Sequence, residues 1–295
     1  MKIDRNSFRI NPVLLKELKV KMRGWKSVFL IVGYNLVLAL FTMFIMKMTM
    51  NNSMGRVSQS NIFATYVYLV IAQFCLIGLI APALTAGSIS GEREKQTLDM
   101  LMSTTLRPVS IITGKLFASL SHIILLVISS IPIFSVIFLY GIIGVKELVQ
   151  VFVFYMVIAI TLGSIGIFFS TFIRKSTAAN VLSYALVIFL ALGTLLISIF
   201  YIQLVVMKNN PGTAYDHTFW LMYCNPFAGL ASLLTTQLGQ GGGRILPGMF
   251  LTGKQNGLLL WQINSMFNLG LSVILLGLSA LKLNPTRRKL FRKNK

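Results

Sequence analysis

Gly91-Glu92-Arg93-Glu94-Lys95-Gln96-Thr97-Leu98-Asp99-Met100-Leu101-Met102 is a polar island between two long apolar runs, and it holds three of the chain's seven acidic residues, Glu92, Glu94 and Asp99. The runs on either side could dissolve in a bilayer, so charge gathered between them needs a reason. Working outward, six segments reach the roughly 20 mainly apolar residues that a spanning helix needs, at about 28–48, 62–89, 116–143, 148–173, 181–206 and 258–281. In hydrocarbon every backbone N–H and C=O must be satisfied within the protein, which long unbroken runs achieve as helices. Barrel strands would instead alternate apolar and polar residues in short segments. The expected fold class is therefore all-α integral membrane, a single transmembrane domain over 1–295. Its expected parts are a cytoplasmic N-terminus over 1–27, a six-span bundle over 28–281 and a basic tail over 282–295.

Composition agrees. Hydrophobic residues make up 55% of the chain, charged residues 12%, and the mean hydropathy is +0.77; soluble domains carry about a quarter charged residues. A soluble globule is excluded. The formal charge of +20 is divided between clusters beside spans, where cytoplasmic Lys and Arg are in excess and anionic headgroups attract them. No basic-aromatic module accompanies it, so membrane lipids are expected partners and nucleic acid is not. Alternating sides along the six spans leaves six basic residues, Lys47, Arg56, Lys146, Lys208, Arg244 and Lys254, on one side and the remaining twenty-one on the other. That bias predicts a multi-pass protein of the plasma membrane with both termini cytoplasmic. The first 27 residues are polar and basic, so no cleavable signal peptide is expected. Cys75 and Cys224 have no metal or redox spacing.

Asn11-Pro12 offers a helix cap followed by proline at the first helical position. Beyond it Leu14, Leu15, Leu18, Met22 and Trp25 share one helical face, while Lys16, Lys19, Arg23 and Lys26 lie off it. An amphipathic helix in the inner leaflet is expected, with Trp25 at headgroup depth; a plain extension of the first span is the alternative. Between the fifth and sixth spans, Asn225-Pro226-Phe227-Ala228-Gly229-Leu230 opens a stretch to Leu238 that suits a short interfacial or re-entrant helix. Gly239-Gln240-Gly241-Gly242-Gly243 after it reads as a flexible connector, since a Walker motif needs Gly-Lys-Ser/Thr.

Catalytic patterns are missing from the sequence. His122 lies in the third span and His217 in an outer loop, neither beside a nucleophile-and-carboxylate set, and there is no HExxH, GxSxG or Cys/His metal signature. His122 reads as a polar helix-packing residue, with substrate contact the other reading. The middles of the spans lack Asp, Glu, Lys and Arg, which argues against an ion-coupled transporter. Gly114-Lys115-Leu116 and Gly253-Lys254-Gln255 lack the Ser/Thr of a P-loop. Energy for transport is thus expected from a separate ATPase, with no cofactor in this chain and ATP and magnesium on the partner. Met43, Met46, Met48, Met50 and Met54 cluster at the outer end of the first span. Thioethers suit Cu(I), and methionine is also an ordinary packing residue; no metal site is assigned.

Within the island, Leu98, Leu101 and Met102 fall at i, i+3 and i+4, an apolar stripe on a short helix bounded by Thr104-Thr105-Leu106-Arg107-Pro108. Docking into a partner's groove and packing under this chain's own helix ends both fit that pattern. Upstream, Ala83, Gly87 and Gly91 recur every four residues, a spacing that lets a neighbouring helix approach.

Three places resemble the membrane-spanning permeases of ABC-2-type transporters: Asn11-Pro12-Val13-Leu14-Leu15-Lys16-Glu17; Gly87-Ser88-Ile89-Ser90-Gly91-Glu92-Arg93-Glu94-Lys95-Gln96-Thr97-Leu98, running on to Leu101, Thr105, Pro108 and Gly114-Lys115; and Asn225-Pro226-Phe227. The resemblance implies an elbow helix at the first, carrying Leu14, Leu15, Leu18, Met22 and Trp25, and a short outer helix before the sixth span at the third. At the second it implies a coupling helix seated on a cytoplasmic ATP-binding cassette subunit, with Glu92, Arg93, Glu94, Thr97, Leu98, Leu101 and Met102 at the interface. It further implies a non-catalytic permease paired with a second copy or a sister permease, exporting a substrate when ATP closes the partner subunits. A channel or secondary transporter working alone, and a non-transporting scaffold or sensor subunit, stand as the rival readings.

Overall fold

The computed structural model describes residues 17, 24–52, 59–103, 107–141, 143–201, 203–204, 220–238 and 259–283. Among them there is no strand. The helices are α1 (Trp25–Asn52), α2 (Gln59–Thr85), α3 (Ser90–Glu94), α4 (Leu98–Met102), α5 (Pro108–Ser129), α6 (Ile131–Phe138), α7 (Val145–Phe172), α8 (Ser176–Ile188), α9 (Thr194–Tyr201), α10 (Pro226–Leu238) and α11 (Leu260–Leu283). A π-helical segment, Phe189–Gly193, joins α8 to α9, and a 3₁₀ turn, Trp220–Tyr223, leads into α10. Of the segment expected to form an N-terminal amphipathic helix, only Glu17 is described before residue 24, so Leu14, Leu15, Leu18 and Met22 lie outside the described residues, as do His217, Met54 and the glycine connector.

Among the described residues, six stretches are long and apolar enough to cross a membrane: Ser27–Thr49, Asn61–Glu94, Pro108–Phe138, Val145–Phe172, Ser176–Tyr201 and Leu260–Leu283. We call them spans 1 to 6. The protein is thus an all-helical, multi-pass membrane protein. Span 3 breaks at Ser130 because Pro132, in the first turn of α6, has no N–H to continue the ladder of α5. Span 2 carries Pro82 near its end and loosens into a turn at 86–89 before α3.

Span 4 is the axis of the bundle. Two-thirds (67%) of its most apolar stretch is buried, against 17% for span 5 and 22% for spans 1 and 6. Phe154, Tyr155, Ile158, Ala159, Leu162 and Ile165 form the middle of the core, and the Tyr155 hydroxyl donates to the Val70 carbonyl of α2 at 2.8 Å. Asn35 reaching Ser129 and Ser27 meeting His122 set α1 parallel to α5. Ser119 donating to the Leu84 carbonyl and Gln73 to Ser130 set α2 antiparallel to them. Lys282, near the end of α11, lies 5.5 Å over the ring of Phe172, the last residue of α7. The start of α1 and the end of α11 therefore lie at the same end of the bundle as the 86–103 loop, an end we call the loop face.

Helix α10 is 13 residues long, about 20 Å at 1.5 Å per residue, and too short to cross. It dips into the bundle instead. Its C-terminal Gln237 meets Tyr66, Glu147 and Gln150 at the end opposite the loop face. Its start lies inside, beside span 5 and Asn264 of span 6.

Candidate functional site

The polar island occupies α3, the turn after it and α4, on the loop face. Helix α3 begins with backbone donors that have no partner in its own ladder. A hydroxyl from span 4 takes two of them: the N–H groups of Ile89 and Ser90 both donate to Ser170 Oγ, at 2.8 and 2.9 Å. One turn earlier on α7, Gly166 faces the α2–α3 junction so closely that a Cβ there would overlap Thr85 and come within 3.0 Å of the Ala86 nitrogen. The close approach is thus made by a glycine of α7. On the α2 side, Ala83 is exposed, Gly87 has nothing near its missing Cβ, and a Cβ on Gly91 would sit in ordinary contact with Ser176 Oγ, at 3.7 Å. The four-residue spacing fails as a packing stripe because the chain leaves the α-helix at 86–89.

The first three of the island's four consecutive charges, Glu92, Arg93 and Glu94, each take a different neighbour. Glu92 Oε1 accepts from Lys115 Nζ at 2.7 Å, and the same ammonium reaches Glu17 Oε1 at 2.6 Å. Lys115 lies in the first turns of α5 and is 3% exposed, so the pair of carboxylates compensates a cation that burial alone would not tolerate. Arg93 donates to the carbonyl of Thr171 (3.2 Å), in the last turn of α7, and to that of Ile173 (3.4 Å), just past its end. Glu94 accepts from the backbone N–H of Ser176 at 2.8 Å and from its hydroxyl at 2.7 Å, at the first residue of α8. A cation thus closes the C-terminus of span 4 and an anion closes the N-terminus of span 5, each matching the partial charge of its helix end. Side by side, Arg93 and Glu94 clip the turn between those spans to α3.

Thr97 Oγ1 and its N–H both return to the Glu92 carbonyl, at 3.2 and 2.9 Å, folding the chain back. The reversal is made at Gln96, whose φ of 57° is the one left-handed non-glycine backbone among the described residues. On α4, Leu98 is buried and Met102 half-buried against this chain's own core. The apolar side chain left facing outward is Met100, 76% exposed; Leu101 lies on α4 but its side chain is outside the described set. Lys95, Gln96, Thr97, Ser103 and Arg107 are exposed on the same loop, and Arg174 and Lys175 on the turn between spans 4 and 5. Trp25 opens α1, 79% exposed and 6.4 Å from the ring of Phe29.

Several partners escaped the sequence reading. Ser170 and Ser176 are ordinary serines 80 residues away, with no local signal. Lys115 was visible as a cation at the edge of an apolar run, but its two carboxylates were not pairable from spacing. A second buried cluster is wholly neutral. Asn264 Nδ2 donates to the carbonyls of Tyr223 (2.7 Å), Asn225 (2.9 Å) and Met222 (3.5 Å), and its oxygen accepts from Asn268 at 2.9 Å. Asn225 Oδ1 caps α10 through Phe227 N–H (2.7 Å) and Ala228 N–H (3.2 Å). His122 is buried with Nε2 3.0 Å from Ser27 Oγ, joining α5 to α1. Among the described residues no group of three or more His, Cys, Asp or Glu gathers as a metal site; Met43 and Met48 are exposed on α1.

The sequence model of a family described as ABC-2 family transporter protein matches residues 12–281. No curated protein matches the chain.

Proposed function

The chain belongs to the ABC-2 transporter family, and from that premise we propose that it is the permease subunit of an ATP-driven exporter, paired with a second permease and coupled to a separate cytoplasmic ATP-binding cassette subunit. ATP and magnesium would be held on that partner. Both termini and the loop face lie on the cytoplasmic side of the plasma membrane in this reading, as the distribution of Lys and Arg requires.

The observation that carries the proposal is the division of labour within the island. Glu92 and Arg93, half-buried, reach spans 3 and 4, and Glu94, exposed on the surface, reaches the start of span 5. Met100 and the exposed polar residues of the same loop turn outward. A loop that only connected two spans would not need side chains bound to three others. Such a loop suits a part that receives a push on one face and delivers it through the other. The docking contact accordingly falls on Lys95, Gln96, Thr97 and Met100, while Glu92, Arg93 and Glu94 transmit. Leu98, read from the sequence as a docking position, is here the root that seats α4 on its own bundle.

The test is a mild-detergent pull-down of the tagged chain from its native membrane, with bound proteins identified by mass spectrometry, beside the variants Met100→Asp and Glu94→Gln. Recovery of a soluble subunit with Walker motifs, its loss with Met100→Asp, and its retention with weaker transport-coupled ATP turnover in Glu94→Gln are expected. A folded chain that reproducibly brings down no such subunit sinks the proposal in favour of an autonomous transporter. A subunit bound with no transport under ATP favours the scaffold.

A further inference from the structure

Span 5 is the least buried of the six, at 17%, and it is not one continuous α-helix. In the segment Phe189–Gly193 the hydrogen bond skips a residue: Thr194 N–H donates to the Phe189 carbonyl, five residues back, rather than to Leu190. The Leu190 carbonyl, deprived of its α-helical donor, is taken by the hydroxyl of Thr194 at 2.6 Å. The next carbonyl, Ala191, accepts from Asn225 Nδ2 at 2.9 Å, across 34 residues of sequence. Gly193 leaves room for the Phe189 ring, which a Cβ there would meet at 2.8 Å. Span 5 contains no proline, so nothing covalent forces the wide turn. Wide turns of this kind are rare and often mark functional joints.

The two sides of the joint are tied to different bodies. At the loop face, Ser176 is held by Glu94 of α3. At the joint, Ala191 is held by Asn225, which is itself immobilised: its oxygen caps α10 and its carbonyl accepts from Asn264 of span 6. Asn264 is braced in turn by Asn268, whose carbonyl accepts from Thr161 of span 4 at 3.2 Å. A rigid post made from spans 4 and 6 and α10 thus grips the middle of a loosely packed helix whose lower end follows α3.

We infer that span 5 works as two segments jointed at 189–193, with Asn225 as the latch that holds α9 to the α10–α11 post while α8 moves with α3. Both states of the joint can be satisfied. In the wide turn Thr194 N–H binds Phe189 and its hydroxyl covers Leu190; in a regular turn Gly193 N–H would bind Phe189, and Thr194 N–H would bind Leu190 directly and release the hydroxyl. The switch exchanges hydrogen bonds within one turn and leaves no buried backbone group unpaired, which makes it feasible inside a membrane.

The joint is tested by spin-label distances in the full chain in nanodiscs, independently of any ATPase. Cys75→Ser and Cys224→Ser remove the native thiols, and labels go to lipid-exposed Leu40 on α1 as reference and to Val181 on α8 or Leu196 on α9, all exposed positions. Asn225→Ser keeps a helix cap but cannot reach Ala191. It is expected to broaden the Leu40–Leu196 distribution and leave Leu40–Val181 unchanged. Glu94→Ala, which removes both bonds to Ser176, is expected to do the reverse, and stands alone should Asn225→Ser fail to fold. If either variant broadens both distances together, span 5 moves as one rod and the joint is wrong; if neither distance responds in either variant, the latch is wrong.

Discussion

Two buried polar clusters hold this bundle, and they are built from opposite chemistry. Near the loop face, Lys115 binds Glu17 and Glu92; deeper, Asn225, Asn264 and Asn268 bind one another and the backbone. Lys115 and Asn264 are both buried, at 3% and 0% exposure, but the Glu17 and Glu92 carboxylates keep 18% and 29% of their surface open to solvent, whereas the amide cluster is buried throughout. The ionic cluster joins three separate pieces, the N-terminal segment, α3 and α5, through charges whose attraction survives small displacements. The amide cluster joins α10 to span 6 through short directional bonds that do not. Charge therefore sits where parts are read as moving, and neutral amides sit where the frame is fixed. Position in the membrane points the same way: ions are tolerated a few turns from headgroups, and at mid-depth only groups that neutralise their own polarity persist.

The largest expected effect comes from breaking the ionic cluster on its cationic side. Lys115→Ala leaves two half-buried carboxylates facing each other; removing one partner of a fully buried pair costs about 3–5 kcal/mol, and the partial solvation of these carboxylates sets the expected loss at or below the lower end of that range. A large fall in the thermal midpoint of the detergent-solubilised protein is expected, partly recovered when Glu92→Gln is added, because the second change removes the repulsion. If Lys115→Ala unfolds no earlier than the asparagine variant below, the ionic cluster is ornamental and the contrast collapses.

Asn264→Ala comes second. Interhelical hydrogen bonds in membranes average well under 1 kcal/mol each and reach about 1.7 kcal/mol, so the loss of Asn264, which serves three carbonyls and Asn268, is expected to cost about 2 kcal/mol. The decisive measurement is which motion changes. Proteolysis or labelling of Cys224, beside Asn225, should increase in Asn264→Ala and stay unchanged in Lys115→Ala at matched stability. Equal increases in both would mean that the two clusters form one cooperative unit.

The contrast also explains what the sequence could reveal. Six spans, the helical class and the family were legible because apolar length and the positions of charge are one-dimensional signals. Glu92, Arg93 and Glu94 stood out for the same reason: charge is scarce here, so each instance is informative. Their direction was not legible. Whether Leu98 or Met100 faces inward depends on the reversal at Gln96, a backbone conformation that glutamine does not announce. The amide cluster was invisible, since Asn264 and Asn268 look like scattered polar residues until Tyr223 and Asn225, 41 and 39 residues earlier, arrive beside them. The wide turn of span 5 has Gly193 as a faint sequence mark and no proline, and the contact from Asn225 that helps sustain it is not legible in the sequence.

The smallest effect separates the inward and outward faces of the island. Gln96 holds φ at 57°, a conformation that disfavours a side chain by about 1 kcal/mol. Glycine would relieve that strain but widens the unfolded ensemble by about 0.4–1 kcal/mol. The two nearly cancel, so Gln96→Gly should shift stability by no more than a few tenths of a kcal/mol. Strained residues that persist despite a cheap alternative point to use of the side chain. Gln96 is exposed next to Thr97 and Met100, and the proposed docking face needs it there. Gln96→Gly is therefore expected to leave the thermal midpoint unchanged and to weaken capture of the ATP-binding subunit, the converse of Lys115→Ala compared with Glu92→Gln on the inward face. Should Gln96→Gly bind the subunit as the parent does, the exposed turn plays no part in docking, and the contact must be sought on Met100 and Arg107 instead.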